Sequence, residues 1–346
     1  MPSSQKTLFV VGAGASHEVG LPIGSGLKEC IVNVLSYKPK EGGISDAIIG
    51  RALDIANNRF RSPYIQACQH ICEAMPQVIS IDNFIDQHRG DGHIEQCGKF
   101  AIVRTILAAE SKSSLFIDPS NINNKMKFGK NPNSSLKPLE ETWLNSFWML
   151  LTENCTAKDL EERFSKVVFI IFNYDRCIEH YLYHSLRNVY HMGEQAAAEL
   201  VKSIEIYHPY GTVGSLHWQS EGNSIGYGEE PSHEQLLKLA KQIKTFTEGA
   251  ESGDMLSIRS LMVSSPRIVF LGFAFHERNM ELLLSKSSAK PAAKYIYGTA
   301  YGMSDDSTDS ICTDLVATYK QVSPVLRNKH TCYGLLHDLE RRLSFA

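Results

Sequence analysis

Leu8-Phe9-Val10-Val11-Gly12-Ala13-Gly14-Ala15-Ser16, continuing to Gly20-Leu21-Pro22, is the stretch that decides the fold. Four apolar residues in a row suit a strand covered on both faces, which is a central strand of a parallel sheet. A glycine turn directly after such a strand lets the backbone come close to a phosphate, and the helix that follows offers N–H groups unused inside the helix. The third glycine of a GxGxxG pattern would fall at His17, so this turn alone also fits an ordinary tight turn.

Further buried strands are expected at Val167-Val168-Phe169-Ile170-Ile171-Phe172, near Ile204 to Tyr207, from Ile268 to Leu271 and at Tyr295 to Tyr297. Helices are expected between them: one with Leu27, Ile31, Val34 and Leu35 on a stripe, one from Arg176 to Leu186, one from Glu234 to about Phe246, one from Met280 to Leu284 and a last from Leu335 to Leu343. Alternating strands and helices predict an α/β fold, a Rossmann-like doubly wound parallel sheet with a helical insertion. Residues 1–38 and 160–346 are expected to form the sheet domain. Residues 39–159 read as the insertion, since helical periodicity runs from Gly42 to about Ala109 and returns at Trp143, Phe147, Trp148 and Leu151. Between them, Ser111 to Pro138, with Asn131-Pro132-Asn133-Ser134-Ser135, reads as a mobile loop.

The chain has 346 residues, enough for a large core without disulfide or metal staples. Lys and Arg number 35 against 38 Asp and Glu, a balance that argues against a surface built to coat nucleic acid. The eight cysteines make no CxxC pair, so a zinc ribbon and a metal centre are not expected, and Cys68 and Cys72, one helical turn apart, read as core thiols. No leader pattern opens the chain and no apolar run approaches the roughly 20 residues needed to cross a bilayer. A soluble protein of the reducing cytoplasm is expected, with no membrane partner.

Three segments begin where an apolar strand stops: Phe172-Asn173-Tyr174-Asp175, Tyr207-His208-Pro209-Tyr210-Gly211 and Leu271-Gly272-Phe273. In a doubly wound sheet such strand ends border one crevice. With the first turn, they resemble the Sir2-like, sirtuin-related NAD-consuming proteins, and more closely the bacterial antiphage NADase branch than the protein deacylases. The resemblance rests on Gly12-Ala13-Gly14-Ala15-Ser16 with Gly20-Leu21-Pro22, on Asn173-Tyr174-Asp175, on His208 in its glycine turn and on Leu271-Gly272-Phe273. It departs from the deacylases in two ways: there is no zinc ribbon, and Gly-Leu-Pro runs on into Ile23-Gly24-Ser25 where deacylases carry Asp-Phe-Arg.

The resemblance implies that NAD is the substrate, cleaved to nicotinamide and ADP-ribose. Gly12, Ala13, Gly14, Ser16, Pro22, Gly211, Gly272 and Phe273 would contact it, and Asn173, His208 and Asp175 would act on it. Loss of nicotinamide leaves an oxocarbenium-like ribose, so a site must orient the leaving ring, tolerate positive charge and admit a nucleophile. An amide at 173 can hold ribose hydroxyls or water, Asp175 can add negative potential, and an imidazole at 208 can take a proton near neutral pH. An NAD-consuming enzyme must be restrained, and no added sensor domain is expected after Ala346. Self-assembly into a homo-oligomer, or a regulatory partner in trans, is therefore expected; the resemblance implies a HerA-like ATPase or a short Argonaute.

Plainer readings stand beside these. Asn173 and Asp175 also fit the cap of the helix that follows. His208 is one of 13 histidines, most of which belong to surface or packing. Ser80-Ile81-Asp82-Asn83-Phe84-Ile85 reads as a capped helix start with Phe84 and Ile85 inward, or as a lid over the nicotinamide end. An NAD-dependent deacylase and a non-catalytic module that binds NAD or ADP-ribose and gates a partner are the alternative functions.

Overall fold

In a computed structural model of the chain, residues 6–345 are described, apart from 39–42, 58–61, 121–124, 131–134, 221, 223, 252, 285–293 and 320. The stretch 131–134 of the expected mobile loop lies outside the described residues, as does 121–124. The strands are β1 (Thr7–Val11), β2 (Tyr37–Lys38), β3 (Gly43–Ile44), β4 (Val167–Ile171), β5 (Glu205–Tyr207), β6 (Arg267–Leu271), β7 (Tyr295–Thr299) and β8 (Val325–Arg327). Six of them form one parallel sheet in the order β5-β4-β1-β6-β7-β8, while β2 and β3 make a small antiparallel ribbon. From β1 the chain builds outward through β4 to β5, then returns to lay β6, β7 and β8 on the other side. This is the Rossmann-like arrangement, with its switch point between β1 and β6.

The alternation of side chains sorts the strand residues into two cores. Leu8 and Val10, Val168 and Ile170, and Ile268 and Phe270 point to one face, where they join the helices Ala47–Asn57, Ser62–Ala74, Ile81–Gln87 and Gly92–Glu110 in a continuous apolar cluster. Phe9 and Val11, Phe169 and Ile171, and Val269 and Leu271 point to the other face, against the helices Trp143–Thr152, Cys177–Val189, Glu194–Lys202 and Cys332–Asp338. The residues predicted as one insertion thus divide: the helices of 47–110 cover one face of the sheet and the Trp143 helix covers the other. On that second face Phe9 stacks on Phe169 at 5.3 Å in the register that pairs these strands.

Several boundaries differ from the sequence reading. The helix expected from Glu234 to Phe246 is three pieces, His233–Leu239, a 3-10 turn Ala240–Gln242 and Phe246–Ala250. The chain breaks there because Lys244 donates its N–H to the Tyr210 carbonyl, and because Thr245 and Glu248 form a capping box that starts a new helix. The last helix likewise starts earlier, at Cys332, where Thr331 caps it. The helices Glu194–Lys202 and Asp305–Tyr319 and the edge strand β8 are not foretold by the apolar pattern, since a short helix whose apolar residues are mostly alanine, a helix rich in Asp, Ser and Thr, and a three-residue strand carry little periodic signal.

Candidate active site

The turn after β1 is held from behind and from the side. Helix Ala13–His17 begins at Gly12, the Trp143 indole donates to the Ala15 carbonyl at 2.9 Å, and Glu18 accepts the N–H groups of Trp143 and Tyr333. His17, at the position of the missing third glycine, donates from Nδ1 to the Leu21 carbonyl at 3.0 Å and so steadies the passage to Pro22.

Across the switch point the two loops touch backbone to backbone. Gly12 N–H donates to the Leu271 carbonyl and Gly14 N–H to the Gly272 carbonyl. A Cβ on Gly12 would lie 2.5 Å from the Gly272 oxygen, and one on Gly272 would lie 2.0 Å from the Ala15 nitrogen. Gly272 also holds φ +57, a left-handed conformation, with its N–H on Thr299 Oγ1. The three glycines therefore let the loops after β1 and β6 pack backbone to backbone at the switch point, and Ala13 beside them is exposed.

The neighbouring strand ends are wired to this turn. Asn173, two residues beyond β4, is buried and donates from Nδ2 to Ser16 Oγ at 2.9 Å. Its carbonyl faces His208 Nδ1 at 3.3 Å, and His208, the first residue after β5, places Nε2 2.8 Å from Glu179 Oε1. Ser16, Asn173, His208 and Glu179 thus form one chain of polar contacts along the ends of β1, β4 and β5. Asp175 is buried and accepts the Cys177 N–H at 3.1 Å, bracing the turn just before helix Cys177–Val189, whose N-cap is Arg176, while lying close enough to His208 to act on its charge.

The predicted contact residues separate in two. Gly12, Gly14, Ser16 and Gly272 converge at the strand ends, whereas Gly211 and Phe273 are engaged in packing elsewhere. Gly211, at φ +72, closes the His208 turn against the Gln242 carbonyl. Phe273 is packed with Phe172, Phe270 and Phe275 in an aromatic cluster that binds the loops of β4 and β6 together. Pro22 is half-buried past the end of the first short helix. Ser80 caps its helix by accepting the Asn83 N–H, and Phe84 and Ile85 are buried as read. Asp82 of that helix accepts a hydrogen bond from the Tyr174 hydroxyl, so the helix reaches the strand end between Asn173 and Asp175.

The electrostatics turn on His208. Burial favours its neutral ring, but the Glu179 carboxylate beside it, the Asn173 carbonyl and Asp175 together outweigh that and push its pKa up. Both ring nitrogens face acceptors, an arrangement satisfied in full by the imidazolium. Burial also pushes the Asp82 carboxyl up to about 6. On its outer side His208 lines a cavity of about 320 Å³ with Glu179, Arg176, Lys202, Thr212 and Trp218.

Two buried charged groups beside His208 escaped the sequence reading. Glu179 stands four residues after Asp175, one helical turn on, and that spacing was the available signal. Arg176 is buried and gives its guanidinium to Glu110 and to the carbonyls of Gly214, Ile225 and Gly226, partners whose proximity no spacing announces. All eight thiols are free, and among the described residues no three His, Cys, Asp or Glu side chains group as a metal site. No described helix is long and apolar enough to cross a membrane. The chain matches no protein-family model and no curated protein.

Proposed function

We propose that this protein is a Sir2-like NAD glycohydrolase, releasing nicotinamide and ADP-ribose from NAD and water, with NAD depletion in antiphage defence as its role. The observation that carries this reading is the hydrogen-bonded row Ser16–Asn173–His208, which joins the ends of three adjacent strands beside the glycine contact of a Rossmann-like switch point. The donor set suits the substrate. The glycine turn and the start of a short helix stand at the switch point, where such sheets receive a pyrophosphate; the Gly12 and Gly14 N–H groups are engaged by the Leu271 and Gly272 carbonyls, so contact with the phosphates would fall to Ser16 and the rest of the turn.

Within this reading Ser16 has a second task besides phosphate contact: it fixes the Asn173 amide. With Nδ2 on Ser16, Asn173 keeps Oδ1 and its other N–H for a ribose hydroxyl or the attacking water. Asp175 supplies negative potential beside the developing cation while holding the helix start. His208 takes a proton from a hydroxyl or water after its own Nδ1 proton has left. Regulation by self-assembly or by a partner in trans belongs to the same proposal.

A non-catalytic module that binds NAD or ADP-ribose is the second reading, favoured by one feature: His208 sits between two acceptors in this state and is not a free base. Product analysis separates the two. Purified protein incubated with NAD, alone and with candidate activators, is expected to release nicotinamide, and Asn173→Ala and His208→Ala are each expected to lose on the order of 10²-fold, about 3 kcal/mol of transition-state stabilisation. Wild-type rates in both variants would defeat the mechanism, and calorimetric binding of NAD without turnover would favour the module.

A further inference from the structure

We propose that Glu179 is the positioning residue of the His208 ring, its carboxylate accepting the Nε2 hydrogen and so fixing Nδ1 as the nitrogen turned toward Asn173. The contact is 2.8 Å, and the two side chains are 12% and 6% exposed, so water competes little for either. The opposite contact, Nδ1 to the Asn173 carbonyl, is longer at 3.3 Å. A neutral ring has one hydrogen for two acceptors, and these distances assign it to Nε2. Nδ1, facing the Asn173 carbonyl, is then the nitrogen that gains and loses a proton.

Glu179 has no other visible occupation. Among the described residues, its second oxygen, Oε2, is buried without a hydrogen-bond partner. A buried carboxylate oxygen left bare is costly, and replacing such a group by an apolar one would be an easy gain unless the charge serves something. The same stretch holds the contrasting solution: Arg176, three residues earlier, is saturated by Glu110 and three carbonyls, so it is not the counter-ion of Glu179. The charged groups around the ring are Glu179 on the helix after β4, Asp175 at that helix's start, and Arg176 and Lys202 lining the adjoining cavity. Of these the two carboxylates act to keep the ring protonated, against the pull of burial. A carboxylate behind an imidazole in this way sets the tautomer and the orientation of the ring without itself touching the substrate.

The chemical use of this arrangement rests on the NAD reading above; the orientation of the ring does not. The test therefore has two readouts on the full chain. Ring-labelled histidine NMR, with His208 assigned through His208→Gln, gives the titration midpoint of His208 in wild type, Glu179→Gln and Glu179→Asp. Nicotinamide release across pH gives the activity profile of the same proteins. The midpoint is expected to move to lower pH in Glu179→Gln and to remain higher in Glu179→Asp. The acid limb of nicotinamide release should move the same way, with kcat down about 10-fold or more and KM for NAD little changed. An unmoved His208 midpoint in both folded variants overturns the assignment, even if NAD is hydrolysed. If Glu179→Gln does not fold, Glu179→Met, which also removes the carboxylate, takes its place: a His208 midpoint equal to that of wild type, with kcat unaltered, overturns it. Absence of nicotinamide release from wild type at any pH would instead sink the NAD reading and leave the ring titration to judge Glu179.

Discussion

Two carboxylate–cation pairs lie three residues apart along one helix start, and they are built in opposite ways. Glu110 and Arg176 are fully enclosed, 0% and 1% exposed, and nearly every polar atom is used: the guanidinium serves both Glu110 oxygens and the carbonyls of Gly214, Ile225 and Gly226, and Glu110 Oε2 also accepts the Gly228 N–H. Glu179 and His208 border a cavity, leave Oε2 bare and ask one imidazole to satisfy two acceptors. The first pair is a knot tying helix Gly92–Glu110 to the loop that closes over β4 and β5. The second holds unspent hydrogen-bonding capacity, which is where a ligand or a proton can still make a difference.

Removing Arg176 is the harshest way to break the comparison. Arg176→Met leaves Glu110 buried without its partner and strips three carbonyls, and an expected loss of about 3–5 kcal/mol should appear as a lowered denaturant midpoint. Activity lost in that variant would follow stability. If its midpoint stayed at the wild-type value, the idea of a saturated structural knot would be wrong.

Asp82 falls between the two extremes, since it accepts from Tyr174 yet is pushed up to about 6 by burial. The folded protein holds the Asp82 proton more tightly than the unfolded chain does, so this group makes stability fall as pH rises from about 4 to about 6. Asparagine keeps the acceptor for Tyr174 and abolishes the titration. Asp82→Asn is therefore expected to be more stable than wild type by about 3 kcal/mol at pH 7 to 8 and little different near pH 4, read by denaturation at both pH values. A constant difference across pH would point away from the carboxyl.

The smallest stability effect is expected at Glu179. With its pKa raised, His208 lends stability that is fully present below about pH 6.5 and is lost as pH climbs through the higher folded value. Glu179→Gln should thus differ from wild type by no more than about 1 kcal/mol, with the gap largest at pH 6 and closing above neutrality. A loss as large as that of Arg176→Met would make Glu179 a structural residue and erase the contrast.

Much of this was legible in the chain. The apolar runs at Leu8–Val11, Val167–Phe172 and Ile268–Leu271 named the three central strands, because residues buried on both faces must be apolar throughout. The breakers after them, Gly12, Asn173 and Gly272, named the strand ends. Glu110 was not legible as a partner of Arg176, nor Asp82 of Tyr174, because both contacts cross from helices covering one sheet face to the strand-end loops and no local period records that distance. The packing of Phe273 was not legible for the same reason: an aromatic after a strand reads alike whatever it turns to, and here it joins a cluster with Phe172 and Phe275.

By itself, the sequence determined which residues end the strands, since burial and backbone freedom are properties of single residues and their immediate neighbours. Which of those ends meet, which glycine faces which, and that Glu179 stands behind His208 were decided only by the order in which the strands are laid into the sheet. That order is set by packing two cores at once, a condition on the whole chain that no segment of it contains.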